Sequence, residues 1–161
     1  MATLFNDERN ISVRIELIDN ESTDIIKKRS DNMNWIPFNL LMNVGDDKII
    51  FHHEVSPSLC VRELKYLIGK LWEVLQVKKR KDFIEDPFKF ISKEYLFEVI
   101  IYETREDDLI YFDWWFNMGS LTNGHISGYS KGYRFVVTLE SLELFTSCLE
   151  DEFHAFLQKY Y

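Results

Sequence analysis

Histidines and cysteines, the side chains that most often bind metals or act as catalytic bases and nucleophiles, are few in this sequence. Histidines stand at four positions and cysteines at two: His52, His53, His125, His154, Cys60 and Cys148. The adjacent His52 and His53 fall in a strand pattern, so their side chains point to opposite faces and cannot chelate one metal together. The sequence also lacks a phosphate-binding glycine loop, His-Glu-x-x-His and Cys-x-x-Cys. We therefore predict that the protein is not an enzyme and needs neither a metal nor another cofactor.

The charge balance narrows the kinds of partner that the protein could bind. The 161 residues include 27 acidic and 19 basic side chains, which give a net charge of −8. A chain this acidic is repelled by phosphate backbones, so we do not expect it to bind nucleic acid directly. The charge suits a basic protein partner, although acidity also serves solubility alone.

Length and the remaining composition predict the setting in which the protein works. The chain has the usual size of one domain, and we assign residues 1–161 to a single domain. No apolar run is long enough to span a membrane, and the N-terminal residues do not form a secretory signal. The two cysteines do not make a disulfide framework, so both are predicted to be free, partly buried thiols. These features predict a cytoplasmic protein without membrane association, and they leave its oligomeric state open.

Hydrophobic periodicity divides the chain into strands and two helices. Strand patterns cover residues 11–18, 35–44, 48–55, 88–91, 94–103, 108–116 and 132–138. Apolar spacings of three and four predict one helix over residues 58–77, capped by Ser56 or Ser58, and another from Thr138 to the C-terminus. Most successive strands are joined by short turns, which require antiparallel pairing. We therefore predict an α+β fold, in which two amphipathic helices pack on one face of an antiparallel β-sheet.

The alternation within the strands predicts which side chains face the core. In the strand over residues 108–116, Trp114 belongs to the apolar face and Trp115 to the opposite one. The outward positions of all the strands give a surface that mixes carboxylates with aromatic rings: Glu16, Glu54, Glu98, Tyr102, Tyr111, Asp113 and Trp115. We predict that these residues bind a partner, with aromatic anchors and with exposed acids such as Glu98 and Asp113 that attract a basic protein. The alternative is that the aromatic rings pack across the strands and only stabilise the sheet.

Two segments resemble bacterial immunity proteins of the WapI type. Residues 58–64 read SLCVREL and continue into an apolar helix over residues 67–71, after the strands, as in that family. Residues 133–145 read YRFVVTLESLELF and lead from a strand into a terminal helix that also holds Leu149, Glu152 and Phe153. The resemblance covers residues 35–160 in element order and helix pattern, and it does not extend to residues 19–34 or to the two adjacent tryptophans.

The resemblance implies a small cytoplasmic protein that binds and neutralises a cognate polymorphic toxin domain, often a nuclease. It implies no catalysis and no cofactor, and it supplies no interface positions. The alternative function is a non-catalytic interaction or adaptor domain, which the same surface would serve. A small hydrolase or ligand-binding domain is the third class, and it would require a deep pocket with convergent polar groups.

Overall fold

A computed structural model describes residues 1–51, 57–122, 124–125 and 128–160 of the chain. In this part, the strands form two antiparallel sheets. The first sheet contains β1 (Ala2–Phe5), β2 (Ile11–Leu17), β3 (Trp35–Val44), β4 (Asp47–Phe51) and β5 (Ser58–Cys60). The second sheet contains β6 (Phe88–Ile91), β7 (Phe97–Tyr102), β8 (Leu109–Asn117) and β9 (Ser130–Thr138). The helices are α1 (Val61–Lys79), the single turn α2 (Met118–Leu121) and α3 (Leu139–Tyr160), and a 3-10 turn covers Asp31–Met33.

This architecture confirms the α+β fold and corrects the expectation of a single sheet. The first sheet has the order β1-β2-β3-β4, and β5 pairs with the start of β3. The second sheet is a simple meander in the order β6-β7-β8-β9. The long helix α1 separates the two groups of strands in sequence, so each strand pairs with its local neighbours. Alternation predicts the two faces of a strand but does not say which strands share a sheet.

The two sheets face each other across a core rich in aromatic rings. The rings of Phe38 and Phe97 meet edge to face with centroids 6.1 Å apart, and those of Phe51 and Phe116 stack at 5.9 Å. Buried side chains from both sheets, α1 and α3 belong to one hydrophobic cluster. At one side the sheets also touch through the backbone, where the N–H of Asp7 donates to the carbonyl of Val136 at 3.0 Å.

The long helices pack against each other and contact strands of both sheets. The indole Nε1 of Trp72 on α1 donates to the Glu150 carboxylate on α3 at 2.9 Å. Helix α3 contacts β1, β2 and β9, whereas the Tyr66 ring on α1 packs 5.9 Å from the Phe88 ring on β6. Helix α1 also contacts β5, so both helices pack against strands of the first sheet, and each of them also reaches the second sheet. None of the helices in the described ranges has the length and apolarity to cross a membrane.

The helix N-termini show one correct and one incorrect sequence prediction. Thr138 caps α3 as predicted, with its Oγ1 accepting from the N–H of Ser141 at 3.1 Å. The cap of α1 is Cys60, since Ser58 lies in β5 and Ser56 lies outside the described residues. The Glu63 carboxylate accepts from the N–H of Cys60 at 2.8 Å and completes a capping box. Cys60 is buried and Cys148 is half-buried, and both thiols are free, as predicted.

The polar stretch over residues 19–34 is anchored to the first sheet. The backbones of Asp24 and Trp35 exchange two hydrogen bonds, at 3.1 and 2.8 Å. Asn34 is fully buried, and its Oδ1 accepts from the N–H of Ile26 at 3.0 Å. Side-chain hydrogen bonds of this kind satisfy the backbone of an irregular segment where no strand partner is present. Residues 19–34 therefore form an ordered loop that closes the start of β3.

A buried ion pair joins the end of α1 to the turn after β7. The ammonium of Lys78 contacts Oε1 of Glu103, and their side chains are only 5% and 10% exposed. Oε2 of the same carboxylate accepts from the N–H of Ile84 at 2.8 Å. Burial alone would raise the pKa of Glu103, but the hydrogen bonds from Lys78 and Ile84 together bring that pKa below its usual value.

We expect Glu103→Gln to destabilise the protein by about 3 kcal/mol near neutral pH, because it leaves the Lys78 ammonium buried without its counter-ion. Since the pKa of Glu103 is lowered in the folded state, the carboxylate stabilises the fold above its unfolded pKa of 4.5. That contribution is lost as the pH falls through the folded pKa, so the difference from wild type should shrink in acid. Urea unfolding of the variant and the wild type at several pH values measures this difference in the free energy of unfolding.

Glu143→Gln is the matched control, because the Glu143–Lys79 pair is nearly half exposed and should contribute less than about 1 kcal/mol. A destabilisation by Glu103→Gln that stayed constant between neutral and acid pH would contradict the role assigned to the ion pair.

The two adjacent tryptophans provide a test of the strand register. Trp114 is 1% exposed and stacks on Phe97 at 5.3 Å, whereas Trp115 is 40% exposed. We expect Trp114→Ala to cost about 3–5 kcal/mol of the free energy of unfolding, as other buried aromatic truncations do. Trp115→Ala should cost much less, and chemical denaturation of both variants measures the difference. Equal losses would mean that the side chains of β8 are assigned to the wrong faces.

Candidate functional site

Five of the predicted site residues lie together on the solvent-facing side of the second sheet, here called the outer face. They belong to β7 and β8 and are Glu98, Tyr102, Tyr111, Asp113 and Trp115. The strand register places Glu98 beside Trp115, and Tyr102 beside Tyr111. Cross-strand neighbours on one face are close enough for their side chains to interact. Strand alternation therefore predicted correctly that these five residues share one side of the sheet, and their role in binding a partner stays a prediction.

The other two predicted site residues do not belong to the outer face. Glu16 lies on β2 in the first sheet, where it accepts a long hydrogen bond of 3.5 Å from Nδ2 of Asn39. Because the inner faces of the two sheets meet in the core, their solvent sides point in opposite directions. The expectation that Glu16 shares a surface with Trp115 is therefore wrong. Glu54 lies outside the described residues.

Asp113 is not the exposed acid that the alternation suggested. Asp113 is only 3% exposed, because the side chain of Arg134, directly opposite on β9, lies over its carboxylate. Nε and Nη2 of Arg134 donate to the two carboxylate oxygens at 2.6 and 2.7 Å. The guanidinium carbon also lies 5.2 Å from the centre of the Tyr102 ring. At this position the long side chain of Arg134 is therefore the group that a partner would meet.

The second acid of the outer face is neutralised as well. Glu98 is half-buried, and its Oε1 lies 2.6 Å from the ammonium of Lys89 on the neighbouring strand β6. Both carboxylates of the surface are thus paired with basic side chains, so the outer face is not acidic at its centre. The excess negative charge of the chain comes from residues elsewhere.

The exposed aromatic side chains of the outer face agree with the prediction. Tyr111 is 41% exposed and Trp115 is 40% exposed, and Ile91 lies 41% exposed in the same cross-strand row as Trp115. The indole of Trp115 lies flat on Gly132, the residue opposite it on β9. A Cβ atom at Gly132 would be only 2.2 Å from Cε3 of the indole, so the absence of a side chain there is required for this contact.

Sequence reasoning missed the basic and small residues that complete the surface. Alternation in β9 did place Arg134 on the outward side, but only the register shows that it meets Asp113. The same holds for Gly132 beneath Trp115 and for Lys89 beside Glu98. A search for opposite charges at outward positions of neighbouring strands would have found both ion pairs if the strand pairing had been known.

Comparisons with protein-family models, with curated proteins and with solved structures found no match to this chain. Within the described residues, no group of three or more His, Cys, Asp and Glu side chains could hold a metal ion. The outer face is therefore characterised by its own geometry: two neutral ion pairs, a central arginine and exposed aromatic rings on four hydrogen-bonded strands.

We expect Gly132→Ala to displace the indole of Trp115 from the sheet, because the new methyl group would occupy the space of the ring. Acrylamide should then quench the tryptophan fluorescence more strongly than in the wild type. Gly69→Ala on α1 is the control, since Gly69 has open space around it and the change should stabilise the helix by about 0.5–1 kcal/mol. Unchanged quenching in the Gly132 variant would contradict the described packing.

Proposed function

We propose that this protein acts by binding another protein through the outer face, and that it is an immunity protein that neutralises a cognate toxin. The observation that carries the proposal is an exposed Trp115 held in place by its contact with Gly132 on a rigid sheet. Trp, Tyr and Arg are enriched among the residues that dominate interface energetics. The outer face exposes one of each, in Trp115, Tyr111 and Arg134.

These side chains are also ordered before any partner binds. Arg134 is held by two hydrogen bonds to Asp113 and by the Tyr102 ring, and Trp115 is held by Gly132. A side chain that is already fixed loses little conformational entropy on association. This property supports a binding role over a purely stabilising one, because aromatic packing within the sheet does not require the rings to stay exposed.

The charge of the chain supports a basic partner through its long-range field. The net charge of −8 would raise the rate of encounter with a basic toxin domain. The contact itself would then involve the aromatic rings and the guanidinium, since the acids of the outer face are already paired. In this proposal, the net charge of the whole chain attracts the basic toxin domain, and the side chains of the outer face anchor it.

The particular assignment to toxin neutralisation is supported by the resemblance of residues 58–71 and 133–145 to WapI-type immunity proteins. An adaptor domain would use the same outer face, and the neighbouring gene separates the two functions. An immunity gene lies beside the gene of its toxin, whereas a solitary gene would count against this assignment.

The test is co-expression of the chain with the toxin domain encoded by the neighbouring gene. The wild-type chain should restore growth and bind the toxin. Trp115→Ala and Tyr111→Ala should each raise the dissociation rate, about thirtyfold if each residue contributes about 2 kcal/mol as an anchor. Growth rescue and surface plasmon resonance measure the two effects.

Ile50→Ala is the matched control, because Ile50 is 43% exposed on the first sheet, on the opposite side of the protein. Thermal unfolding of each variant shows whether it remains folded. If both aromatic variants dissociate from the toxin at the wild-type rate, the interface does not lie on the outer face. A neighbouring protein that is not toxic, or that does not bind, would contradict toxin neutralisation.

A further inference from the structure

Strand β6 forms one edge of the second sheet, and its far side carries free backbone groups. The N–H of Ser92 donates to the carbonyl of Phe97, which fixes the alternation of hydrogen bonds along this antiparallel pair. By that alternation, the backbone groups of Phe88 and Phe90 point to β7, whereas those of Lys89 and Ile91 point away from it. No strand in the described part of the chain pairs with this edge.

A groove runs along the same edge, between β6 and helix α1. Two cavities of about 460 and 570 Å³ meet at Tyr66 and Lys89, which line both of them. The wall on the helix side includes Val74 in the first cavity and Arg62 in the second. The space beside the free backbone groups is therefore open, and a groove between an edge strand and a helix is the shape that accepts an added strand.

Three exposed apolar side chains line this groove. Tyr66 is 49% exposed, Phe83 is 68% exposed and Ile91 is 41% exposed. The Phe83 ring stays near the groove because the N–H of the next residue, Ile84, is tied to the buried Glu103. An added strand would cover these side chains on alternate positions while its backbone bonded to β6.

The two ends of the groove carry opposite charges that lack ion-pair partners in the described residues. Glu85 and Asp86 are exposed at the end that precedes β6. Arg62 and Lys93 are exposed at the end that follows β6, where the nearest polar contacts of the Lys93 ammonium are two oxygens of Asn32 at 3.4 and 3.5 Å. A bound segment would therefore be recognised by charge as well as by its backbone.

We propose that this groove binds an extended segment of a partner protein, which adds to β6 as the fifth strand of the second sheet. The segment runs antiparallel to β6, in keeping with every other pair in the sheet. Its N-terminal end lies near Arg62 and Lys93 and is acidic, and its C-terminal end lies near Glu85 and Asp86 and is basic. Apolar side chains between these ends contact Tyr66, Phe83 and Ile91.

A second copy of the chain fits this edge less well than a separate segment. Each copy carries a net charge of −8, so two copies repel each other. A second copy would also have to bring its own α1 to the same narrow edge, whereas a single extended segment fills only the groove. The inference does not rest on toxin neutralisation or on the aromatic anchors Tyr111 and Trp115, so it can fail or hold independently of them.

The test uses two nine-residue peptides of alternating Val and Thr, one with Glu first and Lys last and the other with these ends exchanged. We expect the peptide with Glu first to bind about tenfold more tightly, as two exposed ion pairs would provide. Bound peptide should slow hydrogen exchange at the amides of Lys89 and Ile91. The amides of Phe88 and Phe90, already bonded within the sheet, serve as the internal reference.

N-methylation of the peptide separates strand addition from other modes of binding. Methyl groups on the alternate amides that face β6 should abolish binding, and methyl groups on the remaining amides should not change it. The double variant Arg62→Glu with Asp86→Lys cancels the charge at each end of the groove, because Lys93 and Glu85 remain, and should abolish the preference between the two peptides. Trp115→Ala should bind the peptides as the wild type does, because Trp115 lines neither cavity of the groove.

Four outcomes would overturn the proposal. They are binding of neither peptide at millimolar concentration, equal binding of both, binding that is insensitive to N-methylation, and a dimer in sedimentation whose formation protects Lys89 and Ile91. The last result would assign the edge to a second copy of the chain. If the wild-type chain binds the peptides but does not neutralise the toxin of the neighbouring gene, only the proposed function is contradicted.

Discussion

The register between β8 and β9 is the constraint on which the arrangement of the protein depends. It places Trp114 in the core and, one residue later, Trp115 on the bare backbone of Gly132. It also sets Asp113 under Arg134. A shift of one residue would bring a carboxylate into the aromatic core and turn the apolar side chains of β8 to water. The packing of the interior and the chemistry of the outer face are thus determined by the same row of backbone hydrogen bonds.

Electrostatic pairing on this surface changes what its acids can do. Each carboxylate of the outer face is matched with a basic side chain from the next strand, and the longer basic side chain lies nearer to water. The guanidinium of Arg134 stays charged, since its hydrogen bonds to Asp113 raise its already high pKa further. A surface that looks acidic in the sequence therefore presents a cation framed by aromatic rings. This difference matters for any partner, because the chain has a strongly negative net charge while its outer face is close to neutral and exposes the basic group of each pair.

The sequence was sufficient for features that depend on periodicity. The face of each residue in β8, the apolar stripe of α3 and the cap at Thr138 follow from local spacing, and the structure agrees with them. Features that depend on pairing could not be obtained in this way. The division into two sheets and the burial of Asp113 both require knowledge of which residues lie opposite each other. Local patterns determine the direction of a side chain, whereas its neighbours are set by the topology.

The contacts between β1 and α3 have a consequence for the order of events during synthesis. Phe5 and Ser141 exchange two hydrogen bonds, at 3.0 and 2.8 Å, across 136 residues of chain. Until α3 leaves the ribosome, the apolar side of β1 has no cover, although the strands that follow it are already available for pairing. Contacts of such long range slow folding and leave apolar surface open to wrong associations in the meantime. The nascent chain therefore depends on α3 to cover β1, and β1 stays open to chaperones while the 136 residues that lead from Phe5 to Ser141 are made.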